Sequence, residues 1–270
     1  MGRLNVTKKK SDMTCSCELN SDLDLASNVQ QLLFPRSSPV CSWCCIGVKN
    51  LMAQGLGGDY FDFIEMRDGC QTLYLGDVTG HGLHASIIMS LIYGFIHNVS
   101  LDKCNPLAVV TGINHLLRSF AARSEKFDHL FSTTLFFAII DPQSFNMHYI
   151  NCGQIKPLIR RDKQVIRLKT TAPPLGFFDN PEIGQGTFEF QPGDRMLLYT
   201  DGLSEATNST NEQYGNSRVE SCLLDIEGDH IEFLDRLYQR NIDFGCLQPP
   251  ADDCTAIILD LHKPLPGTLN

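Results

Sequence analysis

The sequence predicts an α+β sandwich: two mainly antiparallel sheets packed face to face, with helices covering the outside. Three observations lead there. Short β-rich runs follow one another at hairpin spacing, helical periodicities arrive grouped rather than after every strand, and no Pro/Gly/Ser-rich linker divides the strand-rich part. At 270 residues and 43% apolar composition the chain is long enough to bury one large core.

Residues 1–20 carry the run Lys8-Lys9-Lys10 among Ser, Thr and Asn with no apolar face, and are expected to be a disordered tail. Ser21-Asp22-Leu23-Asp24 then supplies a cap with early acids, and Leu23, Leu25, Val29, Leu32 and Leu33 precede a stop at Pro35. This predicts an amphipathic helix over 21–36, packed on the domain behind it or serving as a dimer or regulatory contact. Strands follow at 45–53, 60–66 and 71–78, the last two joined at Asp68-Gly69. Leu83, Ile87, Ile88, Leu91, Ile92, Phe95 and Ile96 recur at helical spacing, and a second helical stretch covers 106–122.

Further strands fit 132–140, 145–151, 155–160, 165–168, 186–190 and 195–200, with turns at Asp141-Pro142 and Pro192-Gly193-Asp194. Helical patterns return at 217–224 and 231–240, and a strand at 254–261 closes the domain, which is expected to span 37–262 ahead of a short tail at 263–270.

Composition excludes several classes. A formal charge of −9 and a pI near 5.3 argue against a nucleic-acid binder, which needs a concentrated positive field. The longest apolar runs, such as 135–140, are far too short to cross a bilayer, and the N-terminus lacks the apolar stretch of a signal peptide, so no membrane partner and a cytoplasmic location are expected. In that compartment the 11 cysteines are expected to be reduced and mostly buried. The grouping of Cys15, Cys17, Cys41, Cys44 and Cys45 leaves a structural zinc site open.

The informative feature is a set of acids at strand ends beside glycine. Asp59 follows Gly57-Gly58, Asp77 ends an apolar run, Asp201 ends Met196–Thr200, and Asp252-Asp253 precede the final strand. A carboxylate adjoining a buried strand must be paired or bind a cation, and no Lys or Arg is adjacent to any of these in sequence. An all-oxygen cluster suits hard cations such as Mg²⁺ or Mn²⁺, pointing to a two-metal centre; the bland alternative is four unrelated Asx-turns. The dense D-x-D-x-D-G loop of a Ca²⁺-binding module is absent. No cysteine stands in a C-x5-R loop, so Cys152 reads as core.

The strings GLGGDYFDF (55–63), YLGDVTGHGLHASIIMS (74–90), TLFFAIIDP (134–142), YINCGQIKPLI (149–159), PPLGFF (173–178), PGDRMLLYTDGLSEATN (192–208) and ADDCTAIIL (251–259) resemble, in order, the bacterial PPM-type, PP2C-like serine/threonine phosphatases of the SpoIIE/RsbU family. The resemblance covers residues 22–261 and implies an α-β-β-α sandwich. It further implies a metal-dependent hydrolysis of phosphoserine or phosphothreonine by water activated between two cations, Mn²⁺ or Mg²⁺. By position, Asp77 corresponds to the carboxylate bridging both metals, Asp59 and the Val78 carbonyl to ligands of one, and Asp201 and Asp252 to ligands of the other; Asp253 is an alternative to Asp252. The implied substrate is a phosphorylated STAS-domain anti-sigma-factor antagonist, with control through a separate activating partner or a homodimer formed by the N-terminal helix.

The sequence departs from the family pattern in places. Thr79 stands where animal and plant relatives carry a histidine, His84 replaces the proline of G-H-G-V-P-A, and Cys152-Gly153-Gln154 replaces alanine-glycine-histidine. His81 reads as structural and His84 as solvent-facing, and the leaving alkoxide would take its proton from solvent or from His81. The rival reading is a phosphatase-fold protein that binds a partner without catalysis; retention of all four aspartates speaks against it.

Overall fold

The computed structural model describes residues 21–35, 41–53, 55–99 and 105–262. The expected tails at 1–20 and 263–270, and Cys15 and Cys17 of the zinc reading, lie outside the described residues.

Two five-stranded sheets form the centre. One runs β1 (Cys44–Leu51), β10 (Cys254–Leu261), β9 (Arg195–Tyr199), β6 (Leu158–Arg161), β7 (Gln164–Arg167); the other runs β2 (Asp59–Glu65), β3 (Gln71–Val78), β4 (Thr133–Asp141), β5 (Asn146–Cys152), β8 (Gly186–Glu189). Every neighbouring strand pair is antiparallel. Three apolar layers then give an α-β-β-α sandwich, as expected. Helices α2 (Leu83–Val99) and α3 (Pro106–Ala121) bury Ile88, Ile92, Val110 and Ile113 against Tyr74, Phe137 and Ile150 on the outside of the β2–β8 sheet. Phe61, Leu75, Phe136, Leu198 and Ile257 fill the space between the sheets. Helices α5 (Asn216–Asp225) and α6 (His230–Asp243) cover the other sheet with Leu223, Phe233 and Leu237 against Leu197, Ala256 and Ile258.

Local chemistry sets the helix starts. Asn105 caps α3 by accepting from the Leu107 and Ala108 N–H groups ahead of Pro106, and Asp229 caps α6 by accepting from Ile231 and Glu232. The strand expected from 155 begins at Leu158 instead. Pro157 has no N–H to give a ladder, and the Ile155 N–H is taken by the Gln154 side chain at 2.8 Å.

The N-terminal helix, α1 (residues 21–31), leaves part of its apolar stripe in water. Leu25, Val29 and Leu32 of its apolar stripe are 62%, 54% and 60% exposed. Leu33 and Phe34, just past its end, pack on the core, and polar groups add to this hold. Buried Gln30 donates to the Gly57 carbonyl at 2.8 Å and accepts from the Gly57 N–H at 3.1 Å, while Ser27 donates to the Gly55 carbonyl at 2.6 Å. A side-chain amide satisfies both backbone groups of one residue much as a strand neighbour would.

Candidate metal centre

Side chains along a strand alternate between faces, so parity shows which residues share the layer between the sheets. Phe61 on β2, Leu73 and Leu75 on β3, Leu198 on β9 and Ile257 on β10 all point there. Continuing each strand in steps of two toward one end of the sandwich gives Asp59, Asp77, Thr200, Thr255 and Asp253. The inner layer therefore changes at this end from apolar to acid and hydroxyl. Asp59 and Asp77 are direct partners in the β2–β3 register. Asp59 also spans the sheets: its Oδ2 accepts from Thr200 at 2.9 Å and from Thr255 at 2.5 Å.

Asp201 opens the short helix α4 (Asp201–Ser204), a turn the sequence reading did not include. Gly202 permits this turn to press on the next loop, because a Cβ there would lie 2.0 Å from the Asp253 carbonyl oxygen. Asp201 and Asp252 line one open pocket of about 250 Å³.

The electrostatics record how closely the acids crowd. Burial, then the charges of Asp201, Asp252 and Asp253, push Asp77 up to about 8. Complete burial, then the facing Asp77, hold Asp59 well above the usual carboxylate range despite its two hydroxyl donors. Asp201 is raised by burial, by Asp252 and by Glu205. The charged groups acting on all three are other carboxylates, and like charges on directly opposed strand positions are destabilising.

The residues fit a hard cation. All donors are oxygens, and the buried Asp59 Oδ1 has no hydrogen-bond partner, an unmet demand that a cation would satisfy. Among the described residues, no three His, Cys, Asp or Glu side chains already stand as a group able to hold an ion. A cation would have to draw the mutually repelling carboxylates together. The same finding covers Cys41, Cys44 and Cys45, whose last two members alternate onto opposite faces of β1.

The two adjacent acids differ in role. Asp253 is buried and acts as a backbone clamp: Oδ1 accepts from the Ala53 N–H at 2.9 Å and Oδ2 from the Gly58 N–H at 2.7 Å. Asp252 is exposed on the pocket wall and accepts from the Asp253 N–H at 2.8 Å. Val78 turns its carbonyl toward Gly58, where a Cβ would sit 2.9 Å from that oxygen.

The Thr79 hydroxyl is engaged with Ser132 at 2.6 Å. His81 and His84 are both exposed, and His84 folds back over Gly80, whose added Cβ would lie 2.7 Å from Nε2. Cys152 is fully buried, as read from the sequence. Thr200, Thr255 and the clamp role of Asp253 were missed. The only signal for the hydroxyls is their parity with the aspartates, which requires knowing the strand phase.

The family model for stage II sporulation protein E (SpoIIE) matches residues 67–262. Phosphoserine phosphatase RsbU of Bacillus subtilis is 23% identical over 190 residues, and Protein IcfG of Synechocystis sp. is 26% identical over 261 residues. These alignments take in 70% and 87% of this chain but 55% and 41% of those proteins. The SiaA-PP2C domain of Pseudomonas aeruginosa superposes with a TM-score of 0.77 at 19% identity, covering 92% of this chain and 99% of that one. The PP2C phosphatase domain of SpoIIE from Bacillus subtilis gives 0.66 at 16% identity, covering 81% and 62%. Two antiparallel sheets with helices on both faces are thus the fold of the PP2C-type phosphatases. The chain belongs to the SpoIIE/RsbU family of bacterial PPM-type phosphatases.

Proposed function

We propose that this chain is an active, metal-dependent protein serine/threonine phosphatase. The observation that carries the reading is the acidic end of the inter-sheet layer, where Asp59 and Asp77 face each other beside Asp201 and Asp252 and the charges acting on them among the described residues are carboxylates. Asp77, Asp59 and the Val78 carbonyl would hold one divalent cation, and Asp77, Asp201 and Asp252 a second, with Mn²⁺ or Mg²⁺ suited to these donors. When bound, such cations supply a nucleophilic water at neutral pH and neutralise charge on phosphoryl oxygens. Thr200 and Thr255 fix the Asp59 carboxylate so that Oδ1 remains free to ligate. The Asp253 clamp holds the Gly57-Gly58 turn that delivers Asp59, and α1 braces the same turn through Gln30. With Thr79 engaged by Ser132, solvent or the exposed His81 is left to protonate the leaving alkoxide.

The proposed substrate is a phosphoserine on a STAS-type regulatory protein in the cytoplasm; the similarity to phosphoserine phosphatase RsbU supports the phosphoserine. Among the described residues no helix is long and apolar enough to cross a membrane. The exposed groove between α1 and α2, lined by Leu25, Val29, Leu83, Ile87 and Leu91, supports contact with an activating partner or a second copy of the chain. The catalytic domain is taken to span 37–262.

The test is hydrolysis of p-nitrophenyl phosphate with added Mn²⁺. Wild type is expected to turn over, and Asp77→Asn to lose at least about 100-fold. Wild type as inactive as Asp77→Asn with every divalent metal and phosphoprotein tried would establish the silent, partner-binding alternative.

A further inference from the structure

We propose that the pocket beside Asp201 and Asp252 is a specificity subsite, in which Leu247, Ala206 and Pro250 receive an apolar side chain flanking the phosphorylated serine. The inference rests on the phosphatase reading. It adds what that reading leaves open, namely which feature of the substrate, apart from phosphate, the site would select.

The pocket is lined by two kinds of residue contributed by two segments. Asp201, Glu205 and Asp252 are acidic, while Leu247, Ala206, Pro250 and Ala251 are apolar. Leu247 is 61% exposed at its rim. A large apolar side chain left in water gains by covering, and here the covering group would have to enter beside the carboxylates proposed to act on phosphate. A single phosphoserine segment can satisfy both kinds: its phosphate lies with the cations at the carboxylates, and a neighbouring leucine, isoleucine or valine lies against Leu247.

Both segments are fixed in advance, which reduces the entropic cost of recognition. The loop carrying Leu247 is held at one end by buried Cys246, whose N–H donates to the Asn241 carbonyl, and by the Gly245 N–H donating to Ile242. The Asp253 clamp holds its other end. Across the pocket, the Glu205 N–H donates to the Asp201 carbonyl at 2.6 Å and the Ala206 carbonyl accepts from Tyr214 at 2.8 Å. Thr207 is bridged to Gln213. Glu205, which is not among the proposed metal ligands, also disfavours Asp or Glu at the same substrate position, so the subsite discriminates in both directions.

The test uses the full chain with Mn²⁺ and a series of phosphoserine peptides. Each carries Leu, Gln or Glu at one position from three residues before the phosphoserine to three after it. Wild type is expected to prefer Leu over Gln by about tenfold in kcat/KM at one of these positions, carried mainly in KM, and to disfavour Glu there. Leu247→Gln should erase the preference while leaving p-nitrophenyl phosphate turnover unchanged, and Leu247→Met should retain it. Non-hydrolysable phosphonate analogues of the same peptides, read by fluorescence anisotropy, should rank in the same order. Turnover without a leucine preference at any position, or a preference that survives Leu247→Gln, overturns the subsite alone. Failure to hydrolyse either p-nitrophenyl phosphate or any peptide overturns the phosphatase reading and the subsite with it.

Discussion

Replacing Asp253 by alanine separates the two adjacent acids that precede β10. In the folded chain Asp253 is buried and its two oxygens take the Ala53 and Gly58 N–H groups. A hydrogen bond to a charged group contributes about 1.5–3 kcal/mol, and an orphaned buried N–H costs about 1–3 kcal/mol. Against this stands the burial that raises the Asp253 pKa, a penalty that alanine removes. The net loss is therefore about 3 kcal/mol, or about 6–12 °C in Tm for a domain of this size. Asp252 is exposed, and removing it relieves the charge acting on Asp77 and Asp201, so Asp252→Ala should stay within about 0.5 kcal/mol of wild type. Urea unfolding at pH 7 in EDTA measures both. Mn²⁺ titration of the folded variants then asks which has lost a ligand, and only Asp252→Ala should show direct loss of affinity. Equal destabilisation by the two substitutions, or normal Mn²⁺ affinity in Asp252→Ala, would refute the division of labour.

Other substitutions report on the same end of the sandwich. Thr255→Val removes the 2.5 Å donor to Asp59 and should weaken Mn²⁺ binding by about 10–100-fold, read by isothermal titration calorimetry. Gly202→Ala places a methyl 2.0 Å from a backbone oxygen and should destabilise by about 2–3 kcal/mol in urea. Gly94, within α2, has nothing within 4 Å of an added Cβ, so Gly94→Ala should stabilise by about 0.5–1 kcal/mol in the same assay. The raised Asp77 pKa favours the protonated folded state. Its contribution to stability is present in full below the free carboxyl's 3.8 and is lost as pH rises through about 8. In EDTA, wild type should therefore lose stability relative to Asp77→Asn between about pH 4 and pH 8, and saturating Mn²⁺ should reverse that trend; parallel curves would refute it.

The strands were legible because their patterns and turns are local. The expected 71–78 strand is observed as Gln71–Val78, and the expected 254–261 strand as Cys254–Leu261. The helices expected from 106 and 231 begin at Pro106 and His230, where Asn105 and Asp229 supply caps that the periodicity alone did not point to. The orientation of α1 was not legible, since its apolar stripe left packing and an outward contact both open, and much of the hold comes from Gln30 and Ser27 bonding to backbone groups. Nothing local in a glutamine identifies its partner as Gly57, 27 residues away.

The site shows the same limit in sharper form. Asp59, Asp77, Asp201 and Asp252 could be selected because each interrupts or ends an apolar strand, but choosing Asp252 over Asp253 requires the phase of β10. That strand is buried on both faces, with Ile257, Leu259 and Leu261 between the sheets and Cys254, Ala256 and Ile258 under α5 and α6. A strand apolar on both faces carries no alternation from which phase can be read. The phase comes from pairing instead. Thr255 reaches Asp59 across the sheets, which fixes the odd-numbered positions as inward and sends Asp253 to the Ala53 and Gly58 N–H groups. Its neighbour is left on the pocket wall with Asp201. The proposed division between ligand and clamp thus rests on one cross-sheet hydrogen bond and the two backbone bonds that Asp253 accepts, and the contrast between Asp252→Ala and Asp253→Ala tests it.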